Sequence, residues 1–115
     1  MTIKRIESGA RMSQAVIANG FVFLAGQVAP DPSGSVVSQT RQVLGEIDRL
    51  LAAAGTSKQR IVSATIYLTD INTFGEMNHA WEAWVPADAK PARATIEAKL
   101  VAPEYRVEIQ VTALL

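Results

Sequence analysis

The chain has 115 residues, 11 of them basic and 11 acidic, with one histidine and no cysteine. That length fits one domain over residues 1–115, and the apolar half of the composition can bury a core unaided by disulfides or metal. The missing cysteines exclude a disulfide framework and a thiolate zinc site. The balanced, scattered charge offers no electrostatic footprint for nucleic acid or an anionic membrane. No apolar run approaches the roughly 18 residues that a bilayer span requires. The start Met-Thr-Ile-Lys-Arg-Ile-Glu lacks the apolar stretch of a signal peptide, so a cytoplasmic location is expected.

Residues 3–8 read as a short edge strand. Ala15–Ala18 and Phe21–Ala29 flank Asn19-Gly20, and an Asn-Gly pair between apolar runs signals a hairpin because both residues accept positive φ. The stretch Asp31-Pro32-Ser33-Gly34 is a turn. From about Val37 to Ala54, the residues Val43, Leu44, Ile47, Leu50, Leu51 and Ala54 form one helical stripe, which Gly55 ends as a left-handed cap. Ile61–Thr69 alternates, with Val62, Ala64, Ile66 and Leu68 on one side, and reads as a strand. A second helix begins near Asn72, where Thr73 and Glu76 have capping-box spacing. Its apolar face holds Phe74, Met77, Trp81 and Trp84 or Val85, and Pro86 and Pro91 bound the loop that follows. Arg93–Leu100 and Arg106–Leu115 read as a final strand pair joined by a turn containing Pro103.

The order β-β-β-α-β-α-β-β predicts an α+β fold, a mixed sheet with two helices on one face. Its other face must be solvated or covered by another copy. The strand from Phe21 to Val28 is apolar on both rows apart from Gln27, which favours an oligomer. On the last two strands, Ala92, Ala94, Ile96, Ala98 and Leu100, and then Val107, Ile109, Val111, Ala113 and Leu115, form the rows expected to face the helices. Arg93, Thr95 and Glu108 are then expected on the opposite face.

Arg93, Thr95 and Glu108 are the constellation that carries chemistry. A guanidinium keeps its charge and binds a carboxylate through two parallel hydrogen bonds, and a nearby carboxylate can orient or deprotonate a water. An ordinary Arg–Glu pair on a sheet face satisfies the same pattern. Yet either hairpin register that keeps the apolar rows together sets Arg93 and Glu108 about 13–20 Å apart. Joint action on one ligand therefore points to different subunits or to a strongly twisted, closed sheet. Asn78, on the second helix, can bond a ligand or local backbone. His79 has no partners for a metal site or a nucleophile triad. Trp81 and Trp84 suit core or interface packing, and Gly26-Gln27 opens no glycine-rich phosphate loop.

Over nearly its whole length the chain resembles the RidA/YjgF/YER057c/UK114 family. The matching pieces are Ser-Gln-Ala-Val (13–16), Ala-Gly-Gln-Val (25–28), Gln-Thr-Arg-Gln-Val-Leu (39–44), Ala-Ala-Gly (53–55), Tyr-Leu-Thr-Asp (67–70), Met-Asn (77–78), Pro-Ala-Arg-Ala-Thr (91–95) and Val-Glu-Ile-Gln-Val (107–111). The resemblance implies a chorismate-mutase-like fold assembled as a homotrimer, with the sheets in a central barrel, the helices outside and sites in the clefts between subunits. It implies hydrolysis of 2-imino acids or enamines to 2-keto acids and ammonia, with no cofactor. On that basis Arg93 grips the substrate carboxylate and Glu108 guides the water. Thr95 stands where the family often has Cys and offers its backbone carbonyl to the substrate amine. Asn78 falls on a family site position. Two site positions depart from the family pattern. Met12 stands in place of an aromatic Tyr and Ala25 in place of a Ser, so a phenol and a hydroxyl are missing. These changes leave a non-catalytic protein that binds or senses small carboxylates as the competing reading. A macromolecular role in translation or RNA cleavage is disfavoured by the charge balance.

Overall fold

The computed structural model describes residues 2–115. Strands β1 (Ile3–Ser8), β2 (Ser13–Ala18) and β3 (Phe21–Leu24) precede helix α1 (Val36–Ala54); β4 (Ile61–Leu68), helix α2 (Phe74–Trp84), β5 (Ala92–Glu97) and β6 (Val107–Leu114) follow. The element order is the one expected. The six strands form one mixed sheet in the order β1-β2-β3-β6-β4-β5, and none of its helices is long and apolar enough to cross a membrane among the described residues.

Local chemistry explains the element boundaries. Asn19 and Gly20 both take positive φ, 53° and 80°, as a two-residue hairpin turn requires. Ser35 caps α1 by accepting the Ser38 N–H at 3.1 Å. Gly55, at φ 90°, closes the helix with its N–H on the Ala52 carbonyl. The capping box expected at Thr73 does not form. The Thr73 hydroxyl instead donates to the Asp70 carbonyl, and Asp70 caps a short 3-10 turn, Ile71–Thr73, through the Asn72 N–H. Helix α2 therefore starts at Phe74.

Both helices cover the same face. The fully buried Val43, Ile47, Leu50 and Leu51 of α1 and Met77 of α2 meet Val22, Ile66, Leu68, Val107, Ile109 and Val111 of the strands. The Trp84 indole N–H donates to Asp48 at 2.9 Å and ties α2 to α1. The opposite face carries a cross-strand row of Ile3, Ala18, Phe21 and Leu114, and Phe21 and Phe23 remain 37% and 43% exposed on it.

Two expectations about the strands fail. The last two strands are not a hairpin. β5 lies parallel to β4, with Arg93 beside Ala64 and Thr95 beside Ile66. β6 pairs antiparallel with β3 on one side and β4 on the other. Helix α2 serves as the crossover that sets β5 parallel to β4, and residues 98–106 carry the chain past β4 instead of turning tightly. The second failure concerns faces. Arg93 and Thr95 share the covered face with Ala64 and Ile66, whereas Ala92, Ala94 and Ile96 line the uncovered one, where Ile96 is 46% exposed. A register shift between Ile61 and Ser63 likewise turns Val62 out of the apolar row and buries Ile61 in its place.

Candidate functional site

Arg93 stands at the margin of the helix layer, on edge strand β5. Its Nη1 donates to Asn78 Oδ1 of α2 at 2.7 Å. The guanidinium carbon lies 5.6 Å from the Phe74 ring centroid and 5.4 Å from that of Trp81, both within cation–π range. Neither of the salt bridges among the described residues involves Arg93; both belong to Arg49. Burial pushes the Arg93 guanidinium below its ordinary range, partly offset by the charge of Glu82. The group remains cationic at any physiological pH. It is thus a half-desolvated cation, held in place by an amide and two aromatic rings, with most of its donors uncommitted and no carboxylate in salt-bridge contact. One position pair along the same strand face, Thr95 Oγ1 is buried and is the one buried side-chain polar atom without a hydrogen-bond partner among the described residues. An orphan of that kind costs about 1–3 kcal/mol and is a natural point of contact for a ligand.

Glu108 occupies a different place. It alternates with the buried Val107 and Ile109 and so points to the uncovered face, opposite Tyr67 of β4. It lines a cavity of about 300 Å³ together with Gly26, Tyr67, Lys99, Leu100 and Gln110. Gly26 makes this arrangement possible, because a Cβ there would collide with Glu108 Oε2. The adjoining backbone is fixed by the reciprocal bonds between Gln27 and Ile109, at 2.9 and 3.1 Å. Gln110 donates to the Leu24 carbonyl at 3.0 Å.

The residues singled out by sequence therefore divide into two groups. Arg93, Thr95 and Asn78 come together with Phe74 and Trp81. Glu108 stands apart, two strands away and on the other face; at ordinary strand spacing its Cα lies roughly 14 Å from that of Arg93. An Arg93–Glu108 ion pair within one subunit is ruled out. Ala25 adjoins Gly26 and is held by its N–H on the Gln14 carbonyl at 2.9 Å. Met12, half-exposed, borders a separate hollow with Glu7, Gly9 and Gln14. Sequence reasoning misses Gly26, Tyr67 and the aromatic wall of Arg93. The Arg-to-aromatic contact was open to inference, since Phe74, Asn78 and Trp81 recur at helical spacing on one face of α2.

Comparison with known proteins follows the same outline. The profile of the endoribonuclease L-PSP family matches residues 2–115. A RutC family protein of Haemophilus ducreyi is 47% identical over 111 residues, covering 96% of this chain and 95% of the relative. The RutC family protein YoaB of Escherichia coli is 42% identical over 98% of both chains. The crystal structure of a YjgF family member from Neisseria meningitidis superposes with a TM-score of 0.96 at 46% identity, covering 99% of this chain and 95% of that one. The chain belongs to the RidA/YjgF/YER057c/UK114 family. Within this YjgF fold, Arg93 and Glu108 are set on opposite faces of one sheet, so neither group alone offers both a carboxylate grip and an acid–base residue.

Two substitutions probe the halves separately. Gly26→Ala should leave the protein folded, because the atom it meets is the far end of a flexible side chain, but should displace the Glu108 carboxylate. A crystal structure of the variant should show Glu108 in another rotamer, and a melting temperature within a few degrees of wild type should accompany it. Thr95→Val removes an unpartnered buried hydroxyl at nearly constant volume. Urea denaturation should show stability unchanged or raised by up to about 1 kcal/mol.

Proposed function

We propose that this protein hydrolyses 2-imino acids, or their enamine tautomers, to 2-keto acids and ammonia, at sites completed between copies of the chain in a homotrimer. The observation that carries this reading is the unneutralised Arg93, seated on Asn78 between Phe74 and Trp81 with the orphaned Thr95 hydroxyl nearby. This is a receptor for a small planar carboxylate that the subunit itself does not fill. Glu108 supplies the complementary chemistry from the other face. The uncovered row of Ile3, Phe21, Phe23 and Ile96 gives copies of the chain an apolar surface on which to associate.

In this mechanism Arg93 receives the substrate carboxylate through its free N–H groups, and Asn78 fixes the plane of the fork. Thr95, through its backbone carbonyl, steadies the substrate nitrogen. Glu108 orients a water toward C2 and takes its proton as the C–O bond forms. In the iminium form the C=N pair moves to nitrogen as water adds; Glu108 returns the proton to that nitrogen, and as the C–N bond breaks the hydroxyl proton passes to Glu108 and on to the departing ammonia, so that keto acid and ammonium leave. No step requires a cofactor. A cytoplasmic site of action suits a product of amino-acid chemistry.

A second reading, binding or sensing of small carboxylates without turnover, is favoured by Ala25 and Met12, which supply no hydroxyl or phenol where the family pattern has them. The balanced charge argues against RNA as substrate, despite the family profile's name. Freshly generated 2-iminopropionate distinguishes the readings. The wild type should accelerate keto-acid release; Arg93→Ala should lower kcat/KM by about 10- to 100-fold, and Glu108→Ala should lower kcat by about 100-fold or more. Absence of acceleration by the wild type, with calorimetric binding of pyruvate retained, would replace the enzyme by the binding protein.

A further inference from the structure

Residues 98–103 follow β5 as a strap pinned at both ends. At one end the Ala98 N–H donates to the Leu68 carbonyl at 2.9 Å, and Glu97 accepts the Ile71 N–H at 2.9 Å. At the other, the fully buried Gln39 of α1 donates to the Glu104 carbonyl at 3.1 Å and accepts the Arg106 N–H at 3.0 Å. Between these anchors the strap presents Leu100 and Val101, and Val101 is 87% exposed, the most exposed large apolar side chain among the described residues. Two cavities meet here. The first, of about 300 Å³, contains Glu108. The second, of about 340 Å³, lies on the far side of Lys99, Leu100 and Val101 and is walled by Thr69, Ala102 and Pro103. Lys99, Leu100 and Val101 line both.

We propose that the Leu100–Pro103 strap forms the side-chain pocket of the site, so that the protein selects 2-imino and 2-keto acids bearing a bulky, branched apolar side chain over those derived from alanine. The proposal rests on the reading above for the ligand's carboxylate and reacting carbon. A ligand whose C2 is held at Glu108 extends its side chain along the continuous wall of Leu100 and Val101 into the second cavity. That cavity offers one hydroxyl, from Thr69, and otherwise apolar surface apart from the Lys99 chain. Each methylene taken out of water there favours binding by about fourfold. The three further carbons of a leucine-like side chain therefore suffice for discrimination of tenfold or more. A strap fixed by hydrogen bonds at both ends holds this wall in place before the ligand arrives, which limits the ordering cost of binding.

Calorimetric titration with three stable 2-keto acids tests the proposal without depending on turnover. The probes are pyruvate, 4-methyl-2-oxopentanoate and 2-oxoglutarate. The wild type should bind the branched acid at least about tenfold more tightly than pyruvate. Val101→Ser, a change at an exposed position that leaves folding intact, should reduce that preference by about threefold or more. Leu100→Ala should reduce it further, and both variants should lose more affinity for the branched acid than for pyruvate. Equal affinity for pyruvate and the branched acid, equal weakening of both by the variants, or no binding of any of the three would overturn the proposal. Tightest binding of 2-oxoglutarate would also overturn it, assigning Lys99 to a second carboxylate. A protein that binds with the expected preference but hydrolyses no imine would refute the reaction and leave the pocket standing.

Discussion

Strand β6 lies between β3 and β4, antiparallel to both, and each functional position takes its side of the sheet from that placement. Val107, Ile109, Val111 and Ala113 are completely buried under the helices, so strict alternation sends Glu108 and Gln110 to the opposite face. A one-residue slip of β6 would bury the carboxylate and expose the core row, a double cost that fixes the register. The same insertion moves β5 out to the sheet edge, where only α2 reaches it. There a small apolar row faces outward, and a guanidinium can rest among aromatic rings beside the helix layer.

The electrostatics of Arg93 follow from this position. An arginine on an open sheet face would be hydrated and would find a carboxylate partner at little gain. At the helix margin it is partly desolvated, and its nearest partners are an amide oxygen and two ring faces, none of which cancels its charge. Under the proposed function, the substrate carboxylate supplies the neutralising charge and pairs the free donors of Arg93. The subunit's own acid cannot do so, because Gly26 and the Gln27–Ile109 bridge hold Glu108 on the far side.

Much of this fold is legible in the sequence wherever a single period or a single residue type decides the structure. The stripe from Val43 to Ala54 and the Gly55 cap, the Asn19-Gly20 turn and the alternation of Val107–Ala113 all lead to the elements observed. Strand pairing is less legible, since nearby strands suggest a hairpin, and only the crossover through α2 reveals that β5 lies beside β4. Face assignment fails on β5 for a related reason. Its row of Ala92, Ala94 and Ile96 looks like core, but at a sheet edge small apolar residues suit an outward face as well. The identities of Arg93, Asn78 and Glu108 as candidate residues are legible from their chemistry and from the family resemblance. Gly26 is not, because its role is clearance from a carboxylate that is distant in sequence.

Because the two half-sites cannot meet within a subunit, the proposed function requires a working site to take Arg93 from one copy and Glu108 from another. Mixing subunits that carry Arg93→Ala with subunits that carry Glu108→Ala, unfolding and reassembling them together, tests this directly. If the halves come from different copies, random assembly should restore intact sites to about a quarter of all clefts, and imine hydrolysis should rise to about that fraction of the wild-type rate although each parent is nearly inactive. A mixture no more active than its two parents would contradict the account.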